Sequence, residues 1–285
     1  MNPPRFARFA AIDWSGAKGR KHKGIAVAMC EAGDSAPELV RPRHAWSRTE
    51  LLDRLLTEAE AAPTLFGFDF SFAPPIAERG EYLPGEDTPR EAKGFWAYVD
   101  AVSEDEDLGA ASFLERVHRR HFYFGAADGV KREFLHHRVC EQAFNAAGGG
   151  KASTLYDAIG AAQVAKASFA GMRLLHRLEG RVPVFPFDPL PAGPASVVVE
   201  IYTRVFIRMA GLSGRKVRTR AQLDAALAAL GSAPARLARE PNDHESDVLI
   251  AAAGLRAIAG DGHYWAPPGL TDELARTEGW TFGVV

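Results

Sequence analysis

Three strongly apolar segments, each carrying a single acid, constrain this chain more than any other feature. FARFAAID (residues 6–13) ends on Asp13, TLFGFDF (64–70) carries Asp69 and ASVVVEIYT (195–203) carries Glu200. Each reads as a strand, because short runs of β-branched and aromatic residues between turn residues suit a buried sheet. A carboxylate in such surroundings is costly unless it is paired, hydrogen-bonded or metal-bound. Asp13 and Asp69 stand at the carboxyl ends of their segments. If these are parallel neighbours, about 4.8 Å apart, the two carboxylates converge on one point. Open α/β sheets gather ligands and catalytic groups at such strand ends.

The other elements follow from pattern. GIAVAMC (24–30) reads as a second strand and residues 38–46 as a weaker third. Ser47 and Glu50 form a capping-box pattern that opens a helix to about residue 61, with Leu51, Leu52, Leu55 and Leu56 on one face. The order to residue 70 is therefore β-β-β-α-β. Residues 71–150 hold turn-rich SFAPP and YLPGEDTPRE, an acidic SEDED run and a closing Gly148-Gly149-Gly150, without a repeating apolar pattern. They read as a helical insertion in a single domain spanning 1–285. Residues 153–180 read as one long helix that buries Ile159, Val164, Phe169, Met172, Leu175 and Leu178. Five prolines between Pro183 and Pro194 then punctuate a loop. Thr219 and Gln222 make a second capping box. NDHESDVLIAAAGLRAIA (242–259) reads as the last long helix, with Asn242 as its N-cap.

That last helix adds two acids. Asp243 and Asp247 are four apart and share a face. Beyond Asp247 the helix is apolar or small nearly all round, which implies burial against the sheet. Three or four carboxylates gathered there would repel and raise one another's pKa values. Divalent cations relieve that repulsion, and oxygen ligands without His or Cys favour Mg2+ or Mn2+ over zinc. Two such ions about 3.5–4 Å apart would activate a water and stabilise the leaving oxygen of a phosphodiester. Plainer roles compete with this reading. Asp13 suits a turn cap, Asp69 an Asx-turn, Glu200 an ion pair with Arg204, and Asp243 and Glu245 the first helical turn.

Lys18, Arg20, Lys21 and Lys23 crowd the loop after Asp13. They form either a solvated loop or contacts to backbone phosphates. ERVHRRHFYFG, from Glu115 to Gly125, mixes bases with aromatics, as single-strand binders do, or forms a helix with one charged face. His136-His137 are adjacent and do not face each other on a helix. With 34 basic and 36 acidic residues the net charge is -2, which excludes a uniformly basic coat for nucleic acid. Two cysteines, Cys30 and Cys140, have neither CxxC spacing nor clustered partners, so a reducing, cytoplasmic setting is expected. No signal-peptide pattern and no apolar run of membrane-spanning length is found in the sequence. GxSxG, HExxH and GxxxxGK[ST] are absent.

Taken in order, these elements and acids resemble the RNase H-like superfamily. FAAIDWSG, FGFDFSFAPP, YDAIGAAQVAKASFAGMRLL, VVVEIYTR, DHESDVLIAAAGLRA and EGWTFGV resemble, more narrowly, domain-of-unknown-function family 429, regarded as predicted nucleases. Where that family often has a glycine beside the Gln-Val segment, this chain has Ala165-Lys166. The resemblance implies an α/β fold with a mixed five-stranded sheet flanked by helices, the first three strands antiparallel and the fourth parallel to the first. It implies that Asp13, Asp69, Glu200 and Asp247 form a Mg2+ or Mn2+ site cleaving RNA or DNA. Two other readings share the fold core. An actin-like small-molecule kinase would place DWSGAKG on ATP phosphates, although such kinases usually need a duplicated domain. A non-catalytic nucleic-acid-binding protein would keep the fold alone.

Overall fold

Six strands form one mixed sheet in the order β3-β2-β1-β4-β6-β5 in the computed structural model, which describes residues 3–159, 164–212 and 216–285. β1 (Arg8–Asp13) is central, with β2 (Ala26–Glu31) antiparallel on one side and β4 (Thr64–Asp69) parallel on the other. β3 (Glu38–Leu39) borders β2, and β6 (Val197–Glu200) runs parallel to β4. Helix α1 (Arg48–Ala61) makes the crossover between β1–β3 and β4, with the Ser47–Glu50 capping box in place.

The sheet has one strand more than the five expected. β5 (Val184–Phe185) pairs with β6 at two positions only. Two residues between Pro183 and Pro186 carry no periodicity, so no pattern announced them. Pro183 still contributes its carbonyl to Val198 N at 2.8 Å, as an edge proline can. The expected third strand shrinks to two residues, because Arg41 and Arg43 adopt positive φ and turn the chain.

Period-two alternation divides the core between the two faces. Ala10, Ile12, Phe66, Phe68 and Val198 face α1, α2 (Ala92–Val102) and α4 (Val164–Arg177). Phe9, Ala11, Leu65, Val197 and Val199 face α5 (Thr203–Met209), α6 (Arg220–Ala229), α7 (Asp243–Ile258) and α8 (Gly262–Trp265). Segment 71–150 lies on the first side. It contains α2, a π turn at Phe113–Val117, three 3-10 turns and α3 (Val139–Ala146), and no strand among the described residues. A last short helix, α9 (Asp272–Arg276), precedes the closing segment. The long helix expected over 153–180 is regular only from Val164 to Arg177. Residues 154–157 form turns instead, with the Tyr156 hydroxyl donating to Tyr82 O, and Ile159 is exposed. Residues 160–163 lie outside the described residues. Among the described residues, no helix is long and apolar enough to cross a membrane.

Candidate active site at the sheet rim

Asp13 and Asp69 are register partners on parallel β1 and β4, side by side at the carboxyl edge. They share a face with Ala11 and Gly67, the face on which α7 packs. Asp247, in the second turn of α7, brings its charge close enough to act on Asp69, and Asp13 acts on both. The first helical turn adds His244, whose Nδ1 lies 2.5 Å from Asp13 Oδ2. Thr203, opening α5, donates its hydroxyl to Asp69 Oδ2 at 2.9 Å. The site borders a cleft of about 550 Å³ whose walls include Trp14, Ser15, Ser71, Tyr202 and His244. Asp247 backs the pair without lining that cleft.

The electrostatics are those of acids in excess of cations. Burial, followed by the Asp13 charge, pushes the Asp69 carboxyl up to about 7, against the opposing pull of Thr203. Burial, again followed by Asp13, pushes Asp247 up to about 6. The hydrogen bond to Asp13 holds the His244 imidazolium above its ordinary range, with Asp13, Asp247 and Asp243 adding in the same direction. Three carboxylates and one nearby imidazole are mostly hard oxygen donors, the type Mg2+ and Mn2+ prefer, although as the side chains stand no three of them bring their ligand atoms within 4.8 Å of one another.

Two acids expected in the metal set are differently employed. Glu200 pairs in register with Phe68, not Asp69, so its side chain emerges on the opposite face. There both its oxygens are satisfied. Arg138 binds it with two nitrogens at 2.7 and 2.5 Å, Phe72 N donates at 2.7 Å and the Thr281 hydroxyl at 2.5 Å. Glu200 borders the cleft as a neutralised structural anchor. Asp243 caps the other expectation: Lys216 and Arg218 draw it outward into ion pairs beside the helix start.

The basic loop is mostly tied down. Lys18 pairs with Glu115, Arg20 with Glu106 and Lys21 with Glu50, at 2.6 to 3.0 Å. Lys23 is exposed and has no ion pair among the described residues. The bases of the 115–125 tract are paired as well, Arg116 with Glu104 and Arg119 with Asp128.

Three contributors carried no sequence signal that was read as functional. Arg48, fully buried, donates to Ser15 O and Ala17 O at 2.7 to 2.9 Å and to Asp107 O, which fixes the loop leaving Asp13. Gly16 lets that loop touch α4, since a Cβ there would stand 2.2 Å from Ala167 N. His244 precedes Asp247 by three positions, a spacing that puts both on one helix face and could have marked it.

Compared with family models, curated proteins and solved structures, the chain matches none.

Proposed function

We propose that this protein is a metal-dependent hydrolase of nucleic-acid phosphodiesters, with an RNase H-like sheet of the kind the resemblance to family 429 implies. The observation that carries this reading is the in-register Asp13–Asp69 pair, closed from behind by Asp247 and left short of positive charge. Asp13, Asp69 and Asp247 would hold Mg2+ or Mn2+. When bound, the metal supplies neutralising charge and a water of lowered pKa. His244, exposed and bonded to Asp13, is placed to hold or pass a proton at the cleft mouth. Thr203 fixes the Asp69 carboxylate in its orientation.

An anionic chain as substrate is favoured by a second groove of about 300 Å³ that meets the cleft at His244. Lys23 and Arg43 line it without an ion pair among the described residues, whereas Arg41 and His44, also in its wall, are held by Glu50. Two such cations suit backbone phosphates and carry no sequence readout.

The test is cleavage of labelled single-stranded and duplex RNA and DNA with Mg2+ or Mn2+. Asp13→Asn and Asp69→Asn should each abolish it. Undiminished cleavage by either variant, or no cleavage of any of these substrates by the wild type, refutes the proposal.

A further inference from the structure

Segment 71–150 assembles a second ligand group, none of whose members lines the cleft. Glu86 lies in the turn after Leu83-Pro84, and His118 and His121 follow the π turn. Between the two histidines the backbone is a 3-10 turn, with His121 N donating to His118 O at 3.0 Å. Residues three apart eclipse in such a turn, so both imidazoles leave on one side. Glu86 Oε1 stands 3.2 Å from His121 Nε2 and 3.7 Å from His118 Nδ1. One ligand atom from each residue lies within 4.8 Å of the other two. Ligand bonds of about 2.0–2.2 Å to a single ion would close that triangle after a contraction of a few tenths of an ångström.

His118 supplies an independent observation. It is 2% exposed, and its Nδ1 has no hydrogen-bond partner although it faces this shared point. A buried polar atom left in that state is destabilising until a partner arrives. Its other nitrogen, Nε2, lies 2.9 Å from the Tyr98 hydroxyl. Ligating histidines are oriented by an outer partner of this type on the non-ligating nitrogen.

We infer that Glu86, His118 and His121 form a binding site for a divalent cation of the zinc class, oriented by Tyr98 and gated by Arg120. Two imidazoles and one carboxylate favour zinc or cobalt over magnesium, unlike the all-oxygen acids at the sheet rim. Arg120 holds the open side: its Nη2 is 2.8 Å from Glu86 Oε1 and its Nε 3.2 Å from His121 Nε2. Its side chain is 63% exposed, so it can leave into solvent when an ion enters. The bound ion would pin the turn at Glu86 to the 118–121 turn.

The test uses chelator-stripped protein without a polyhistidine tag, titrated with Co2+ and then Zn2+, in the wild type and in Asp69→Asn. Both proteins should bind one Co2+ at this site with the visible absorption of a low-coordinate nitrogen–oxygen centre. Excess Mg2+ should leave that band unchanged, and one equivalent of Zn2+ should remove it and raise the melting temperature. His121→Ala and Glu86→Gln should lose the band, with far-ultraviolet circular dichroism reporting the fold. Tyr98→Phe should weaken binding about tenfold. Arg120→Ala, at an exposed position, should bind several-fold more tightly. No band in the folded wild type overturns the inference. So does a band that survives His121→Ala and Glu86→Gln, or one lost in Asp69→Asn. An Arg120→Ala affinity that is unchanged or lower overturns it as well.

Discussion

Glu200 and the Asp13–Asp69 pair end neighbouring strands of one sheet, yet their surroundings are opposite. Glu200 is buried with an arginine, a hydroxyl and a backbone N–H aimed at its two oxygens. Asp13 and Asp69 stand side by side in register, Asp247 is close enough for its charge to act on Asp69, and His244 is bonded to Asp13. A single step of register separates the two outcomes, because it sends Glu200 to the other face of the sheet. Burial of an acid therefore says little about function, whereas burial without compensation says a good deal. A completed pair such as Arg138–Glu200 has no further ligand to attract. The rim acids gain from any cation that arrives.

The contrast can be broken most directly by activity. Asp13→Asn or Asp69→Asn should reduce metal-dependent cleavage by about a thousandfold or more, since the metal's charge and its activated water are lost together. Glu200→Gln should act on stability instead, with a far smaller effect on the rate per folded molecule. Gel-based cleavage assays beside urea melts separate the two.

Arg138→Ala should destabilise the fold by about 3–5 kcal/mol, the range for stranding a buried charge. Arg138→Met combined with Glu200→Met should recover only part of that loss, as measured by urea unfolding, because buried Glu141 also loses its pairing with Arg138.

The pH dependence sharpens the comparison. Asp69 and Asp247 have folded pKa values raised to about 7 and about 6. The native state therefore holds these protons more tightly than the unfolded chain does. Their contribution is fully present below the ordinary carboxylate range and is lost as pH rises through about 6 and then 7. Raising the pH from 5 to 8 should lower the melting temperature of the metal-free wild type relative to that of Asp69→Asn. The comparison is relative because the histidines whose pKa burial lowers (His22, His118, His121 and His136) act the opposite way in both proteins. Mn2+ should raise the wild-type melting temperature more at pH 8. Asp69→Asn should stabilise the metal-free protein at pH 8 by about 1–2 kcal/mol. A difference between wild type and Asp69→Asn that does not change between these limits would count against a raised Asp69 carboxyl, whose first cause is burial and second the Asp13 charge.

The smallest effect is expected in the groove. Lys23→Ala with Arg43→Ala should weaken nucleic-acid binding without changing its sequence preference. It should also lower the salt slope of binding by about 1–2. An unchanged slope would move the substrate path elsewhere.

Much of this arrangement was legible in the residues. Apolar strands ending on Asp13 and Asp69, two capping boxes, the Asn242 N-cap and the small-residue face of α7 all follow from local pattern, and the structure places each. The direction of Glu200 was not legible, because it depends on which residue of β4 it meets across the sheet. Asp243 misled for a related reason: spacing puts it near Asp247, but Lys216 and Arg218 come from a different segment. Arg48 and Arg138 act across long sequence separations, and a lone arginine carries no mark of the carbonyls or acids it will meet. The two-residue strand Val184–Phe185 is too short for any period to show.

The closing segment ties these observations together. Glu278 accepts from Ile76 N, Ala77 N and Val139 N, its carbonyl accepts from Arg138, and Thr281 completes the shell of Glu200. During synthesis, Arg138 and Glu200 emerge long before Thr281. A nascent chain would thus carry a partly solvated ion pair and an unanchored helical region until residues 278–281 have emerged. Completion of the cleft wall therefore waits on these residues, and a chain cut short ahead of Glu278 would leave a sheet with its cleft unframed.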